Sequence, residues 1–182
     1  MPNQYAYRKN NLSNDDTREL DFPQVKKRVA HWISKKDYSE LELREKLSRY
    51  TSEDIIDRAI AWCHQLKLIP PPEVMTENII VRLNREKKGI QQINHTLTEK
   101  GLAAIAEDRD AELEKAIELV GKKMLHSMKS QTWKELGFQD KQKTKAKAFR
   151  FLATRGFTSE IIQSSFEKWL QNNKDTDVYE NE

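Results

Sequence analysis

The residues that could perform chemistry are few and are spread along the chain. His31, His64, His95 and His126 are far apart in sequence, and the single cysteine, Cys63, lies beside His64. Adjacent residues on a helix point about 100° apart, so this pair does not form a nucleophile and base. The sequence contains no metal-ligand spacing and no phosphate-binding glycine loop. We therefore predict a protein without catalytic residues, bound metal or cofactor.

Positively charged side chains are the stronger signal. The net charge is only +3, yet the stretch from Lys122 to Arg155 contains ten Lys and Arg against two acids, Glu135 and Asp140. A concentrated basic face attracts polyanions even when the net charge is small. The alternative for the run Lys141–Arg150 is a solvated helix surface. The predicted basic face comprises Lys35, Lys36, Arg49, Lys87, Lys88, Lys100, Lys141, Lys143, Lys145, Lys147, Arg150 and Arg155.

Four tryptophans suggest a second kind of contact, the stacking of nucleic-acid bases on aromatic rings. Trp32, Trp62 and Trp169 lie on or beside apolar stripes, which favours packing in a core over exposure. Trp133 lies in a polar connector and is therefore the candidate for an exposed ring.

These side chains must be positioned by helices, and the stretch from Tyr38 to Leu68 indicates how. Ser39 and Glu42 form a predicted capping box at the start of a short helix. Thr51 and Ser52 then cap a second helix. Similar patterns return twice, with Leu47, Leu97 and Leu152 as equivalent positions, as expected for a helical repeat. The predicted structural anchors are Leu43, Leu47, Ile93, Leu97, Leu152 and Trp62.

Composition and pattern together predict an all-α protein, an elongated, curved array of three tandem three-helix repeats. The apolar content of 37% and the charged content of 34% argue against one large core. Pro70–Pro72 mark a boundary, because consecutive prolines cannot continue a helix. Residues 103–128 are helical in composition, with a break expected at residues 108–110. The predicted segments are a disordered N-terminal segment 1–23, repeats 24–69, 70–109 and 110–171, and an acidic tail 172–182.

The cellular compartment is also constrained by sequence. One cysteine excludes an internal disulfide and is typical of a reducing compartment. No apolar run reaches the ~20 residues that a membrane helix needs, and the N-terminus lacks the hydrophobic core of a signal peptide. We expect a cytoplasmic monomer without membrane contacts.

The order and spacing of these motifs resemble the RecX family, bacterial regulators of the RecA recombinase. The resemblance rests on Ser-x-x-Glu-Leu-x-x-x-Leu at 39–47, on Ala-Trp-Cys-His at 61–64, and on a lysine-rich helix followed by Arg-Phe-Leu-Ala-Thr-Arg-Gly-Phe at 150–157. It extends from about Val25 to Leu170, which is nearly all of the predicted ordered chain.

This resemblance implies a non-enzymatic protein that binds RecA and its nucleoprotein filament, restrains filament growth and strand exchange, and binds single- or double-stranded DNA without sequence preference. It also implies a role in DNA repair, recombination and the SOS response. The predicted basic face is then the candidate contact with RecA or DNA. The alternative is a stand-alone, sequence-independent DNA-binding helical module, for which the basic face alone is the reason. An enzyme remains a distant third possibility.

The sequence departs from the family pattern at two places. Ile69–Val74 replaces a segment that usually contains Asp and an aromatic residue, and Lys87–Ile90 replaces a Gly-aromatic-Gly-Pro turn. We expect both changes to lie where the first repeat meets the second. The two lysines of the turn are either a contact with an anion or a solvated turn.

Overall fold

The computed structural model describes residues 19–128 and 132–175, in which all regular secondary structure is helical. The all-α prediction is therefore confirmed. The chain divides between Pro70 and Pro71 into two compact units, with α1–α3 in the first and α4–α8 in the second. The helices in the described residues are α1 Phe22–Ile33, α2 Glu40–Leu47, α3 Glu53–Gln65, α4 Pro72–Arg85, α5 Ile90–Glu99, α6 Arg109–Met128, α7 Phe138–Ala153 and α8 Ser159–Asp175.

The first unit begins earlier than predicted. Asp21 caps α1 by a capping box with Gln24, so the helix starts before residue 24. The Leu20 N–H donates to the Tyr50 carbonyl at 2.8 Å, and the Glu19 carboxylate accepts the Ser52 N–H at 2.8 Å. Residues 19–23 are thus part of the folded unit. Residues 1–18 of the predicted disordered segment, and residues 176–182 of the predicted acidic tail, lie outside the described residues.

Helix α2 starts as its sequence predicts. The Glu42 N–H donates to the Ser39 hydroxyl at 3.1 Å, and the Ser39 N–H donates to the Glu42 carboxylate at 2.9 Å, which confirms the capping box. In the same helix, Leu43 and Leu47 are fully buried. Burial of these two side chains therefore fixes α2 on the core that it shares with α1 and α3.

Helix α3 closes this core. Ile56, Ala59 and Cys63 are buried in it, and Trp62 packs half-buried against its edge. Desolvation raises the pKa of the Cys63 thiol to about 11, so the group stays neutral at physiological pH and behaves as a small apolar side chain. Ser52 is the N-cap residue, but its side chain makes no capping bond, in contrast to the prediction.

The second unit contains two apolar clusters. In the first, Met75, Ile79 and Leu83 of α4 pack on Ile93 and Leu97 of α5. The repeat prediction expects a third helix before residue 109, but residues 102–108, all of which are described, are not helical.

A side-chain contact explains the extended backbone of that segment. The Asn94 side-chain amide donates to the Ile105 carbonyl at 3.0 Å and accepts the Ile105 N–H at 2.9 Å. Leu102 and Ile105 pack against the α4–α5 cluster. Because Asn94 satisfies the backbone groups of Ile105, the chain buries apolar side chains there without forming a helix.

The second cluster lies between α6, α7 and α8. The predicted break before α6 is confirmed, because the helix begins at Arg109 and the Asp108 carboxylate accepts the Ala111 N–H at 3.1 Å. The Trp133 ring is half-buried, with its centroid 5.6 Å from that of Phe166 in an edge-on contact, so the exposure considered for it is not found. Leu152, Phe157 and Ile161 are among the fully buried side chains of this cluster.

The turn between α4 and α5 packs against the turn between α7 and α8. The Gly89 N–H donates to the Arg155 carbonyl at 2.8 Å, and the Gln91 N–H donates to the Gly156 carbonyl at 3.0 Å. A Cβ atom on Gly89 would lie 2.4 Å from the Gly156 oxygen, and Gly156 itself has a φ of +84°. The two backbones therefore approach so closely that only glycine fits at both positions.

Helix α6 fixes the same turn from another side. The Lys115 ammonium donates to the Glu112 carboxylate at 2.6 Å and to the Lys88 carbonyl at 2.9 Å, and Glu112 also accepts the Ile90 N–H at 3.0 Å. The side chains of Glu112 and Lys115 are 6% and 12% exposed. The turn at residues 87–90 was expected at the junction of the first and second repeats. The contacts described here lie within the second unit, where the turn packs against α6 and the α7–α8 turn, and the expectation about the junction stays a prediction.

The burial of three leucines yields a prediction for stability. Leu47, Leu97 and Leu152 are 0%, 0% and 1% exposed, so replacing any one with Ala removes buried methyl groups and leaves a cavity. We expect each variant to lose about 2–5 kcal/mol of unfolding free energy, measured by urea denaturation. A loss below about 1 kcal/mol at any of the three would show that this position is not an anchor.

The glycine contact yields a second prediction. Gly89→Ala places a methyl group against the Gly156 backbone, and we expect a loss of about 1–3 kcal/mol or more, measured by urea denaturation. Gly121→Ala is the matched control, because its added Cβ would meet only the Trp169 ring at 3.7 Å, and Ala favours a helix over Gly by about 1 kcal/mol. Equal stability of the two variants would contradict the close approach at Gly89.

Candidate phosphate-binding surface

Helix α7 separates its lysine-rich run into two sets. Lys143, Lys147 and Arg150 are exposed and follow i, i+4, i+7 spacing, so they form one ridge. Lys145 is half-buried, with its ammonium 5.1 Å from the Phe149 ring centroid. Lys141 is also half-buried and donates to the Lys134 carbonyl at 3.3 Å. The ridge is therefore the fully exposed part of the run.

Helix α6 adds two cations that the sequence prediction missed, Lys122 and Lys123. Between α6 and α7 lies an open depression of about 330 Å³, lined by Lys123, Lys147, Arg150, Phe151 and Thr154. Both lysines stand in the basic stretch of the sequence, but only the packing of α6 on α7 brings Lys123 beside Lys147.

The Phe151 ring contacts two cations, Lys123 and Arg155. The Lys123 ammonium lies 5.1 Å from the ring centroid, and the Arg155 guanidinium lies 4.8 Å from it. Arg155 also donates to the Glu86 carbonyl at 2.7 Å. A cation over an aromatic face gains electrostatic attraction without losing its charge, so both groups remain able to pair with an anion.

A single carboxylate, that of Glu118, joins Lys122 of α6 to Lys87 of the α4–α5 turn. Glu118 accepts from Lys122 at 2.7 Å and from Lys87 at 2.8 Å. These bonds, first that of Lys122 and then that of Lys87, lower the pKa of Glu118 to about 2. Glu118 therefore stays charged at neutral pH and offsets part of the local positive charge.

These contacts define one connected surface in the second unit, which we call the unit 2 basic surface. Lys87 and Lys122 share the Glu118 carboxylate, and Arg155 donates to the carbonyl of Glu86, the residue before Lys87. Arg155 and Lys123 share the Phe151 ring, and Lys123 lines the depression with Lys147 and Arg150. Its members are Lys87, Lys122, Lys123, Lys147, Arg150 and Arg155.

The remaining predicted cations have other surroundings. Lys143 lies 3.8 Å from Asp140 on the α7 ridge, and Lys100 is half-buried at the C-cap of α5. Lys88 is half-buried, and its carbonyl is held by Lys115. The other three belong to the first unit, where they are exposed: Lys35, Lys36 and Arg49.

Histidine and carboxylate side chains are the groups that could support catalysis or bind a metal. His64 lies 2.9 Å from the Glu40 carboxylate, and its side chain is half exposed on α3. Within the described ranges, no group of three or more His, Cys, Asp or Glu side chains is arranged to hold a metal ion. No helix of the described chain is long and apolar enough to cross a bilayer.

Comparison with known proteins connects this architecture to one family. No family model matches the chain. It is 29% identical over 168 residues to Regulatory protein RecX of Pectobacterium atrosepticum, covering 88% of this chain and 93% of that protein. It is 28% identical over 156 residues to Regulatory protein RecX of Clostridioides difficile, covering 82% of this chain and 69% of that protein.

Solved structures share the fold. The crystal structure of RecX from Lactobacillus salivarius matches with a TM-score of 0.59 at 22% identity, covering 81% of this chain and 96% of that one. A second crystal structure, of regulatory protein RecX, matches with a TM-score of 0.57 at 18% identity, covering 83% and 81%. Along most of its length the chain is similar in sequence to proteins named Regulatory protein RecX, and it shares the fold of the solved RecX structures.

Proposed function

We propose that this protein is a non-enzymatic regulator that binds RecA, or the filament that RecA forms on DNA, and inhibits recombination and RecA ATPase activity. Its relatives are named regulatory proteins, and the family resemblance supplies RecA as the partner. Inhibition then needs only occupancy of the filament, without the making or breaking of any bond.

The observation that carries this proposal is the unit 2 basic surface. Six cations lie on connected elements, and one carboxylate, Glu118, pairs with two of them, Lys87 and Lys122. Like charges on one surface repel one another, and an anionic partner relieves that repulsion. DNA phosphates, or an acidic region of RecA, supply the complementary charge.

The second candidate function is DNA binding independent of RecA. The same surface favours it, because Lys and Arg contacts to phosphates give affinity without sequence preference. The two functions differ in whether RecA is needed for binding. RecA ATPase on single-stranded DNA, measured with increasing amounts of this protein, tests the first function. Inhibition supports the regulator, whereas unchanged ATPase together with tight binding to bare DNA supports the second.

The α7 ridge yields a prediction for DNA binding. We expect Lys147→Gln with Arg150→Gln to flatten the dependence of log affinity on log salt. The slope of that dependence should change by about 0.7 for single strands, or about 0.9 for duplex, for each phosphate that the variant no longer neutralises.

The matched control for the ridge variant is Arg85→Gln with Lys168→Gln, which removes the same two charge types from exposed positions of α4 and α8. An equal change in both double variants would show that only net charge matters. A slope unchanged by the ridge variant would place the phosphate-binding residues elsewhere.

Glu118 yields a prediction of opposite sign. Glu118→Gln removes the carboxylate that ties up Lys87 and Lys122, so we expect DNA affinity to rise several-fold and the salt dependence to steepen. Glu77→Gln, an exposed charge change on α4, is the control and is expected to have less effect. Because the pKa of Glu118 is about 2, its protonation contributes no pH dependence to binding between pH 5 and 8. Weaker binding by Glu118→Gln would contradict the proposed role of these two lysines.

A further inference from the structure

The first unit carries a different surface, on which aromatic rings and cations alternate. The Trp32 ring lies at its centre, with centroid distances of 6.4 Å to Tyr38 and 6.2 Å to Tyr50. The Lys46 ammonium lies 4.2 Å from the Trp32 centroid, and the Arg28 guanidinium lies 4.2 Å from the Tyr50 centroid. All five side chains are half-buried. We call this set, Arg28, Trp32, Tyr38, Lys46 and Tyr50, the aromatic surface.

The two cations of the aromatic surface have no acidic partner in the part of the chain that the structure describes. Within the described residues, neither Arg28 nor Lys46 forms an ion pair with a carboxylate, and Lys46 donates instead to the Tyr38 hydroxyl at 2.9 Å. Arg44 on the same helix shows the contrast, because it pairs with Glu40 at 2.9 Å and with Asp57 at 2.7 Å. The charges over the rings are thus free to pair with a ligand.

The rings differ in how much the fold needs them. Trp32 and Tyr38 pack on the core of the first unit, which holds them rigidly. Tyr50 lies in the turn between α2 and α3, where its backbone carbonyl accepts the Leu20 N–H and its ring contacts Trp32 and Arg28. The Tyr50 backbone is therefore fixed independently of its side chain, and the ring can be replaced with little effect on the fold.

We propose that the aromatic surface binds single-stranded nucleic acid, with a base stacked on Tyr50 and phosphates paired with Arg28 and Lys46. Rings interleaved with unpaired cations are the arrangement by which proteins hold single strands without sequence preference. Bases of a duplex are already stacked and paired, so a ring surface of this kind favours single strands. The inference rests on the proposed function in assuming that the chain contacts nucleic acid, and it adds a second site and the class of strand.

The test compares one aromatic change with its conservative counterpart. Binding of the full chain to a labelled oligothymidylate, and to a labelled duplex of the same length, is measured by fluorescence anisotropy at one salt concentration. We expect Tyr50→Leu to weaken single-strand binding by about tenfold or more, because one base can no longer stack, and to leave duplex binding unchanged. Tyr50→Phe keeps the ring and should bind as the unaltered protein does.

Two further variants control for fold and charge. Trp62→Leu replaces another half-buried ring of the first unit that carries a cation, Lys26 at 5.8 Å, and should leave single-strand binding unchanged. Lys46→Gln removes a charge from the aromatic surface and should weaken single-strand binding and flatten its salt dependence by about 0.7. Thermal melting followed by circular dichroism confirms that Tyr50→Leu is folded.

The outcomes separate this inference from the proposed function. If Tyr50→Leu binds single strands as the unaltered protein does, or loses single-strand and duplex binding equally, the inference is overturned. It is also overturned if Tyr50→Leu loses only its affinity for RecA in the absence of DNA, because the surface is then a protein contact. A selective loss of single-strand binding by Tyr50→Leu supports the inference. This holds even if the unaltered protein leaves RecA ATPase unchanged, because that result contradicts only the regulator function.

Discussion

The arrangement of the second unit depends on one close approach between two backbones. Gly89 and Gly156 bring the α4–α5 turn against the α7–α8 turn, and hydrogen bonds of Gly89 and Gln91 hold them there. Since even one methyl group at Gly89 would overlap the opposing carbonyl, the spacing of the two turns is fixed by sterics as well as by hydrogen bonding. The polar groups of these turns are satisfied by each other, which is what buried backbone requires.

The unit 2 basic surface follows from that contact. Arg155 immediately precedes Gly156, and Lys87 lies two residues before Gly89, so the approach of the glycines also brings these cations to one side of α6. The buried pair of Glu112 and Lys115 adds specificity, because beyond their bond to each other both groups gain a backbone partner when the turn is docked. The glycine contact and the Glu112–Lys115 pair carry no net charge, and together they hold the mutually repelling cations in place.

The two units use aromatic rings for cations in different ways. Phe151 carries Lys123 and Arg155 beside a depression that is mainly cationic, as suits phosphate contact. In the first unit, three rings adjoin one another, and two of the cations over them, Arg28 and Lys46, have no carboxylate partner among the described residues. The function proposed above would use both, since phosphates and unstacked bases are the two chemical features that a single strand offers.

The sequence by itself determined the local structure and much of the chemistry. The capping box of Ser39 and the start of α6 after Asp108 follow from short-range rules and are found in the structure. The concentration of cations between Lys122 and Arg155 likewise follows from composition and spacing.

Tertiary contacts decided the features that such short-range rules do not include. Asn94 holds residues 102–108 out of the helix that their composition favours, because a pair of hydrogen bonds outweighs a weak propensity. Packing of α6 on α7 selected Lys123, which no pattern along the chain distinguishes from its neighbours. Which cations share a surface depends on side chains that are distant in the chain and adjacent in space, and periodicity within one helix contains no information about its neighbour.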